Sequence, residues 1–231
     1  MPIVSDDRLI TAEQMAFLQT VDSPTLANAI EKFNARDRCD GFIGGQIECQ
    51  FPELGFMVGY ALTVTVSNAH GEVAGRKGFW EMFEALEQMP KPSVLVMKDV
   101  SGAPHRVAYA GEVMATLSKR LGAVGMVTDG ALRDVKEVRE LGFHYFMKYP
   151  VVSHANFEIL EIGVPVLMDG EVINTGDILH GDANGIVVVP RSVIAGLPDA
   201  VKQVRETEKR TMDFYKSDAF TLAGAKANRG Y

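Results

Sequence analysis

Between residues 93 and 147 the chain alternates apolar runs with amphipathic stretches, and this alternation restricts the fold more than any other feature. An apolar run at 93–97 is followed by a helical pattern at 112–121, which stops at Gly122. A second run at 124–128 leads to a helical pattern at 134–141, stopped by Gly142, and a third run fills 143–147. Glycine just past the last turn is the preferred helix stop, since it accepts the left-handed conformation there without a Cβ clash. Strands alternating with helices imply parallel pairing and right-handed crossovers. Asp129-Gly130 reads as a turn between the second run and the second helix.

The flanks read differently. Thr11 with Gln14 forms a capping-box pattern, and Ser23-Pro24 predicts a cap followed by proline at the first helical position. Leu26, Ala29, Ile30 and Phe33 then repeat at helical spacing. Residues 34–55 are rich in Gly, Asp and Arg with few periodic signals, and a loop of that length in a compact domain is usually functional. Alternation predicts a strand at 59–67, and Phe79, Met82, Phe83 and Leu86 mark one side of a helix at 78–89. After His154, short strands at 164–168, 171–174 and 185–189 are divided by Asp169-Gly170, Gly176-Asp177 and Gly181-Asp182, which indicates antiparallel packing. A charged helix at 198–215 turns Val201, Val204 and Met212 inward, and the Ala/Gly-rich tail at 221–231 is expected to order against another subunit. Together these segments predict an α/β domain spanning residues 1–231, with its core at about 20–190 and a β-rich second layer.

Composition removes several function classes. The net charge is -7, so the surface as a whole repels polyphosphate and argues against nucleic-acid binding. No apolar run approaches bilayer length, and the N-terminal residues show neither a basic nor a long apolar signal region, so a cytoplasmic protein is expected. Cys39 and Cys49 have no metal spacing and read as ordinary thiols. His70, His105, His144, His154 and His180 never pair at ligand spacing, which argues against zinc, and His105 and His180 read as surface residues. The glycines at 71, 75 and 78 lack the spacing of a phosphate loop. The eleven methionines read as core filler, and Glu206 and Glu208 as solvated charges, with reach to a neighbouring subunit's site as the alternative.

Chemistry concentrates at two helix starts. Gly111-Glu112 opens the first helix, whose leading N–H groups at Val113 and Met114 would point outward at the positive end of the dipole. A carboxylate can dock there, and glycine permits close approach. Arg133-Asp134 opens the second helix outside the carboxyl end of a parallel strand, where open α/β sheets place ligands. Asp134 offers hard oxygen to a divalent cation, and Arg133 a planar fork to a carboxylate. Plain structural roles remain open: Glu112 complementing its own helix dipole, and Asp134 with Glu137 forming a capping box.

Glu112, twenty intervening residues and Arg133-Asp134 resemble the Asp-X20-Arg-Asp signature of the superfamily that contains 4-hydroxy-4-methyl-2-oxoglutarate aldolases and the regulator of ribonuclease activity A. The stretches at 21–30, 111–116, 125–134, 172–177 and 182–190 resemble its other segments. The resemblance implies a swivelling β/β/α fold with N-terminal helices and a C-terminal helical extension. It implies assembly as a trimer or dimer of trimers, with active sites between subunits. It also implies a metal-dependent (class II) pyruvate aldolase that often decarboxylates oxaloacetate. Asp134 would bind Mg²⁺ or Mn²⁺, and Arg133 would hold the carboxylate and 2-oxo oxygen of the 2-oxo-acid substrate. Glu112 would order the water that protonates the enolate, and the N–H groups after Gly111 would grip the carboxylate. The chain departs from the family pattern at Glu112, where Asp is usual. It departs again at His144-Tyr145-Phe146-Met147-Lys148, whose bulk can reshape the pocket. Lys98 reads as an ion-pair residue, which argues against Schiff-base chemistry. The competing function is a non-catalytic regulator that binds a ribonuclease. A methyltransferase reading lacks a glycine-rich adenosine loop.

Overall fold

The computed structural model describes residues 3–68, 78–154 and 156–227. Helices α1 (Ala12–Leu18) and α2 (Ser23–Glu31) come first. Thr11 closes the expected capping box on α1. On α2 the cap is Asp22 rather than Ser23: its carboxylate accepts the Thr25 N–H at 2.9 Å. Ser23 is occupied elsewhere, its N–H donating to Asp182 at 2.7 Å and its hydroxyl paired with His180 Nδ1 at 2.9 Å. His180 is therefore buried, not on the surface, and its Nε2 meets the Leu18 carbonyl at 3.0 Å. Burial lowers its pKa.

Short strands β1 (Phe42–Ile43) and β2 (Glu48–Cys49) occupy the loop region, followed by the long β3 (Met57–Asn68) and α3 (Phe79–Gln88). Next come β4 (Ser93–Asp99), β5 (Ala108–Ala110), α4 (Glu112–Arg120), β6 (Ala123–Leu132), α5 (Val135–Leu141) and β7 (His144–Pro150). The C-terminal part holds β8 (Phe157–Ile162), β9 (Val166–Met168), β10 (Glu171–Ile173), β11 (Ile178–Asp182) and β12 (Gly185–Val189), then α6 (Leu197–Lys216) and α7 (Leu222–Ala227).

Strands β3, β4, β6 and β7 are parallel neighbours, as the alternation requires, and β5 runs parallel beside the far half of β6. Antiparallel β1, β2, β8, β11 and β12 complete a mixed ten-stranded sheet among the described residues, and β9–β10 forms a separate hairpin. Strand alternation divides the apolar residues between two faces. Leu62, Leu95, Met97, Met126 and Met147 join the helices in one core. Ala61, Val94, Val96, Val127 and Phe146 pack against Val166, Met168 and Ile173 of the hairpin in a second.

Several expectations need correction. Asp129-Gly130 is not a turn; it lies inside β6. Phe33 lies beyond the end of α2 and is 39% exposed, with one ring edge facing Gly196. Met212 is 48% exposed, because α6 buries only its first turns, at Leu197, Ala200, Val201 and Val204. Glu208 is not simply solvated: it accepts from Asn28 Nδ2 at 3.2 Å. The glycine stretch at 71–77, His70 and the tail at 228–231 lie outside the described residues. No helix among the described residues is long and apolar enough to cross a membrane.

Candidate active site at the β5 and β6 strand ends

Parallel pairing of β5 with β6 brings the two helix starts together. Ala108 lies opposite Ala131 and Ala110 opposite Leu132, and the Arg133 N–H donates to the Ala110 carbonyl at 3.0 Å. One residue beyond Ala110, Gly111 is the N-cap of α4; one residue beyond Arg133, Asp134 is the N-cap of α5. A Cβ on Gly111 would overlap the Asp134 carboxylate and would stand 3.0 Å from Arg133 Cγ. Glycine is required here for close approach rather than for its backbone angles, which are extended.

Asp134 does not cap its own helix. Its backbone is left-handed, at φ 57° and ψ 42°, and its side chain makes no capping bond, so the capping box with Glu137 is absent. A non-glycine residue in that region stores about 1 kcal/mol or more and persists only where its surroundings demand it. The rotation turns the carboxylate across to α4, where Oδ2 accepts the Glu112 N–H at 2.9 Å. Arg133 Nε lies 3.7 Å from the same oxygen. The two side chains keep 31% and 33% of their surface exposed, so a small solute can reach them.

The other candidates take separate places. Glu112 joins the group through its backbone, and its side chain is exposed. Val113 is 81% exposed, whereas the Met114 side chain is buried in the core. Helix geometry leaves their N–H groups without partners inside α4, at the end where the dipole favours an anion. Among the described residues no three His, Cys, Asp or Glu side chains converge. The donor set is one hard carboxylate, Asp134, with Glu112 brought beside it by the contact to its backbone N–H. This fits Mg²⁺, which keeps several waters and commonly takes one or two carboxylates plus substrate oxygens.

A polar cluster contributed by β4, β5 and β6 lies just before this site, and it contains the ion pair expected of Lys98. Lys98 pairs with Asp129, not with its neighbour Asp99. Asp129 also accepts the Asp99 N–H at 2.8 Å, and the Asp99 carboxylate takes the Tyr109 hydroxyl and the Ser101 N–H. In the bulky run after Phe143, Tyr145 and Met147 enter the helix-side core and Phe146 the hairpin-side core. Tyr145 lies under the candidate site, where burial and the Asp134 carboxylate push its hydroxyl pKa up and the Arg133 charge opposes them. Burial pushes the pKa of His144 down to about 4. Lys148 reaches Gln46 at 3.1 Å and Asp169 at 3.9 Å.

The model of the RraA-like family, described as aldolase/RraA, matches residues 23–188. The chain belongs to that family. A Halalkalibacterium halodurans protein with a provisional 4-hydroxy-4-methyl-2-oxoglutarate aldolase name is 33% identical over 136 residues, which cover 58% of this chain and 60% of that protein. The chain thus spans less than two thirds of that relative's length. An uncharacterized protein of Pseudomonas syringae pv. tomato has the same fold, with a TM-score of 0.74, 24% identity and 94% of each chain covered. Streptomyces coelicolor RraAS2, an unusual member of the RNase ES inhibitor RraA family, gives a TM-score of 0.71 at 23% identity, covering 88% of this chain and 98% of that one. The mixed α/β architecture expected from sequence is the architecture of this family.

Proposed function

We propose that this protein is a divalent-metal-dependent lyase that acts on 2-oxo acids through a pyruvate enolate, as a 4-hydroxy-2-oxo-acid aldolase, an oxaloacetate decarboxylase or both. One observation supports this reading most: Asp134 adopts a strained left-handed backbone that directs its carboxylate to Arg133 and the α4 N-terminus instead of capping α5. Plain helix capping would need no such strain.

In this reading the Arg133 guanidinium binds the substrate carboxylate and its 2-oxo oxygen, orienting the bond to be broken. The leading N–H groups of α4 share that anionic charge. Cleavage releases CO2, or a carbonyl fragment whose 4-hydroxyl proton passes to a water ordered by the exposed Glu112 carboxylate. The bonding electron pair stays on the enolate, and the same water position delivers a proton to its carbon. A divalent cation, held by Asp134 with Glu112 in reserve, would supply Lewis-acid stabilisation of the enolate oxygen. The homotrimer or dimer of trimers implied by the family would complete the site, and the exposed far half of α6 is suited to reach a neighbour.

The test is incubation of the purified protein with Mg²⁺ and oxaloacetate or 4-hydroxy-2-oxo diacids, with released pyruvate reduced by lactate dehydrogenase. Metal-dependent pyruvate release that is abolished in D134A and R133A is expected. Absence of release from every substrate, together with retention of a ribonuclease by the D134A protein, would favour the regulator reading.

A further inference from the structure

Strand β6 carries an irregularity just before the candidate site. Its register with β7 slips between Thr128 and Ala131. On the other side β4 pairs with β6 only as far as Thr128, and β5 takes over at Ala131. Asp129 and Gly130 therefore lie where the ladder changes partners, and a polar cluster fills the junction. Both Asp129 carboxylate oxygens are engaged, one by Lys98 Nζ and one by the Asp99 N–H. The Thr128 hydroxyl donates to the Met97 carbonyl at 2.7 Å and accepts the Gly130 N–H at 3.0 Å. A Cβ on Gly130 would stand 2.9 Å from Tyr109 Cε2, and the Tyr109 hydroxyl is tied to Asp99.

This cluster touches both strands that carry the site. Tyr109 is two residues before Gly111, and Asp129 is four before Arg133. We propose that Asp129, held by Lys98, is a positioning residue that sets where Arg133 and Asp134 emerge relative to the start of α4. The proposal rests on the lyase reading for its catalytic consequence, while its structural content stands apart from it. An ion pair this sheltered is a geometric anchor: removing one partner leaves the other charge without a counterpart, and the segment must move to solvate it. The segment that shifts is the far end of β6, beyond the register slip, where β5 has replaced β4 beside it, while Met126 and Val127 upstream lie in the unbroken ladder with β4 and β7.

Amide hydrogen exchange on the full-length protein tests this whether or not any substrate is known. In D129N the Asn oxygen still accepts the Asp99 N–H, but its amide cannot pair with Lys98. Exchange at Arg133 and Glu112 should accelerate about tenfold or more, while Met126 and Val127 stay at wild-type rates. K98M should reproduce the pattern, which guards against a D129N that fails to fold, and K98R should restore it. If the lyase reading holds, kcat for the 2-oxo acid should fall further than KM rises in D129N and K98M, and should recover in K98R. Unchanged exchange at Arg133 and Glu112 in both variants would overturn the proposal. Acceleration spread equally along β6 would overturn it too, by showing only general destabilisation. If the wild type turns over no 2-oxo acid, the lyase reading fails and the exchange pattern still decides the positioning role.

Discussion

Replacing Gly111 with alanine should separate the site from the fold. The extended backbone of Gly111 is open to any residue, so the substitution introduces no torsional strain. The new methyl group instead meets the Asp134 carboxylate, with Arg133 Cγ at 3.0 Å and Nε at 3.1 Å. Ordinary contact lies near 3.5 Å, so these side chains must retreat by about 1 Å, and the Asp134 bond to the Glu112 N–H is lost. That bond is partly exposed and contributes about 1 kcal/mol; losing glycine at the cap adds about 1 kcal/mol more. For a chain of this size, about 2 kcal/mol corresponds to a Tm decrease of roughly 4–8 °C. A 1 Å misplacement of catalytic groups, by contrast, costs about 10²-fold in rate. Thermal unfolding and coupled pyruvate release would be measured on the same preparation. Turnover of G111A within threefold of wild type would refute the argument that residue 111 must be bare for Asp134 and Arg133 to reach their places. A Tm loss above about 15 °C would equally refute the separation of site from scaffold.

D134N keeps the left-handed backbone, which Asn tolerates, but loses the charge; it should lower pyruvate release by about 10²-fold with a Tm within roughly 4 °C of wild type. G130A forces a methyl group against Tyr109 and should destabilise by about 1–3 kcal/mol in chemical denaturation. His144 is held neutral by burial, with its pKa near 4, while the unfolded chain takes up the proton below about pH 6.5. The unfolded state therefore binds more protons in that window, and stability should fall as pH drops from about 6.5 towards 4, by roughly 3 kcal/mol at most. Denaturation curves of H144L across that range should be flatter than those of wild type.

The parallel block was legible because its apolar runs are bounded by glycines that stop helices, and both Gly122 and Gly142 adopt positive φ. Strand β11 was not, since His180 and Asp182 look like surface residues in a turn-rich stretch; their partner Ser23 is more than 150 residues away. Asp129-Gly130 has turn composition, yet it lies in a strand whose contacts are long-range: Asp129 binds Lys98 and the Asp99 N–H, and Tyr109 packs close to Gly130. At the site, the alternation placed both helix starts at the ends of parallel strands, but β5, whose pairing with β6 brings 111–112 beside 133–134, is too short to show a period of its own. The orientation of Asp134 was hidden, because a capping box and a left-handed cap begin with the same residues and differ only in one backbone rotation. No local pattern announces Lys98 as the partner of Asp129, since the pair joins different strands.

The contact between Asp134 and residue 112 runs through the main chain at 112. Any amino acid other than proline can therefore occupy that position and still present the same N–H to the aspartate. The acid chosen there is free to set only how far a proton carrier extends into the crevice. An exchange of Glu for Asp at 112 thus becomes a handle for adjusting reach by one methylene without unseating the anchor.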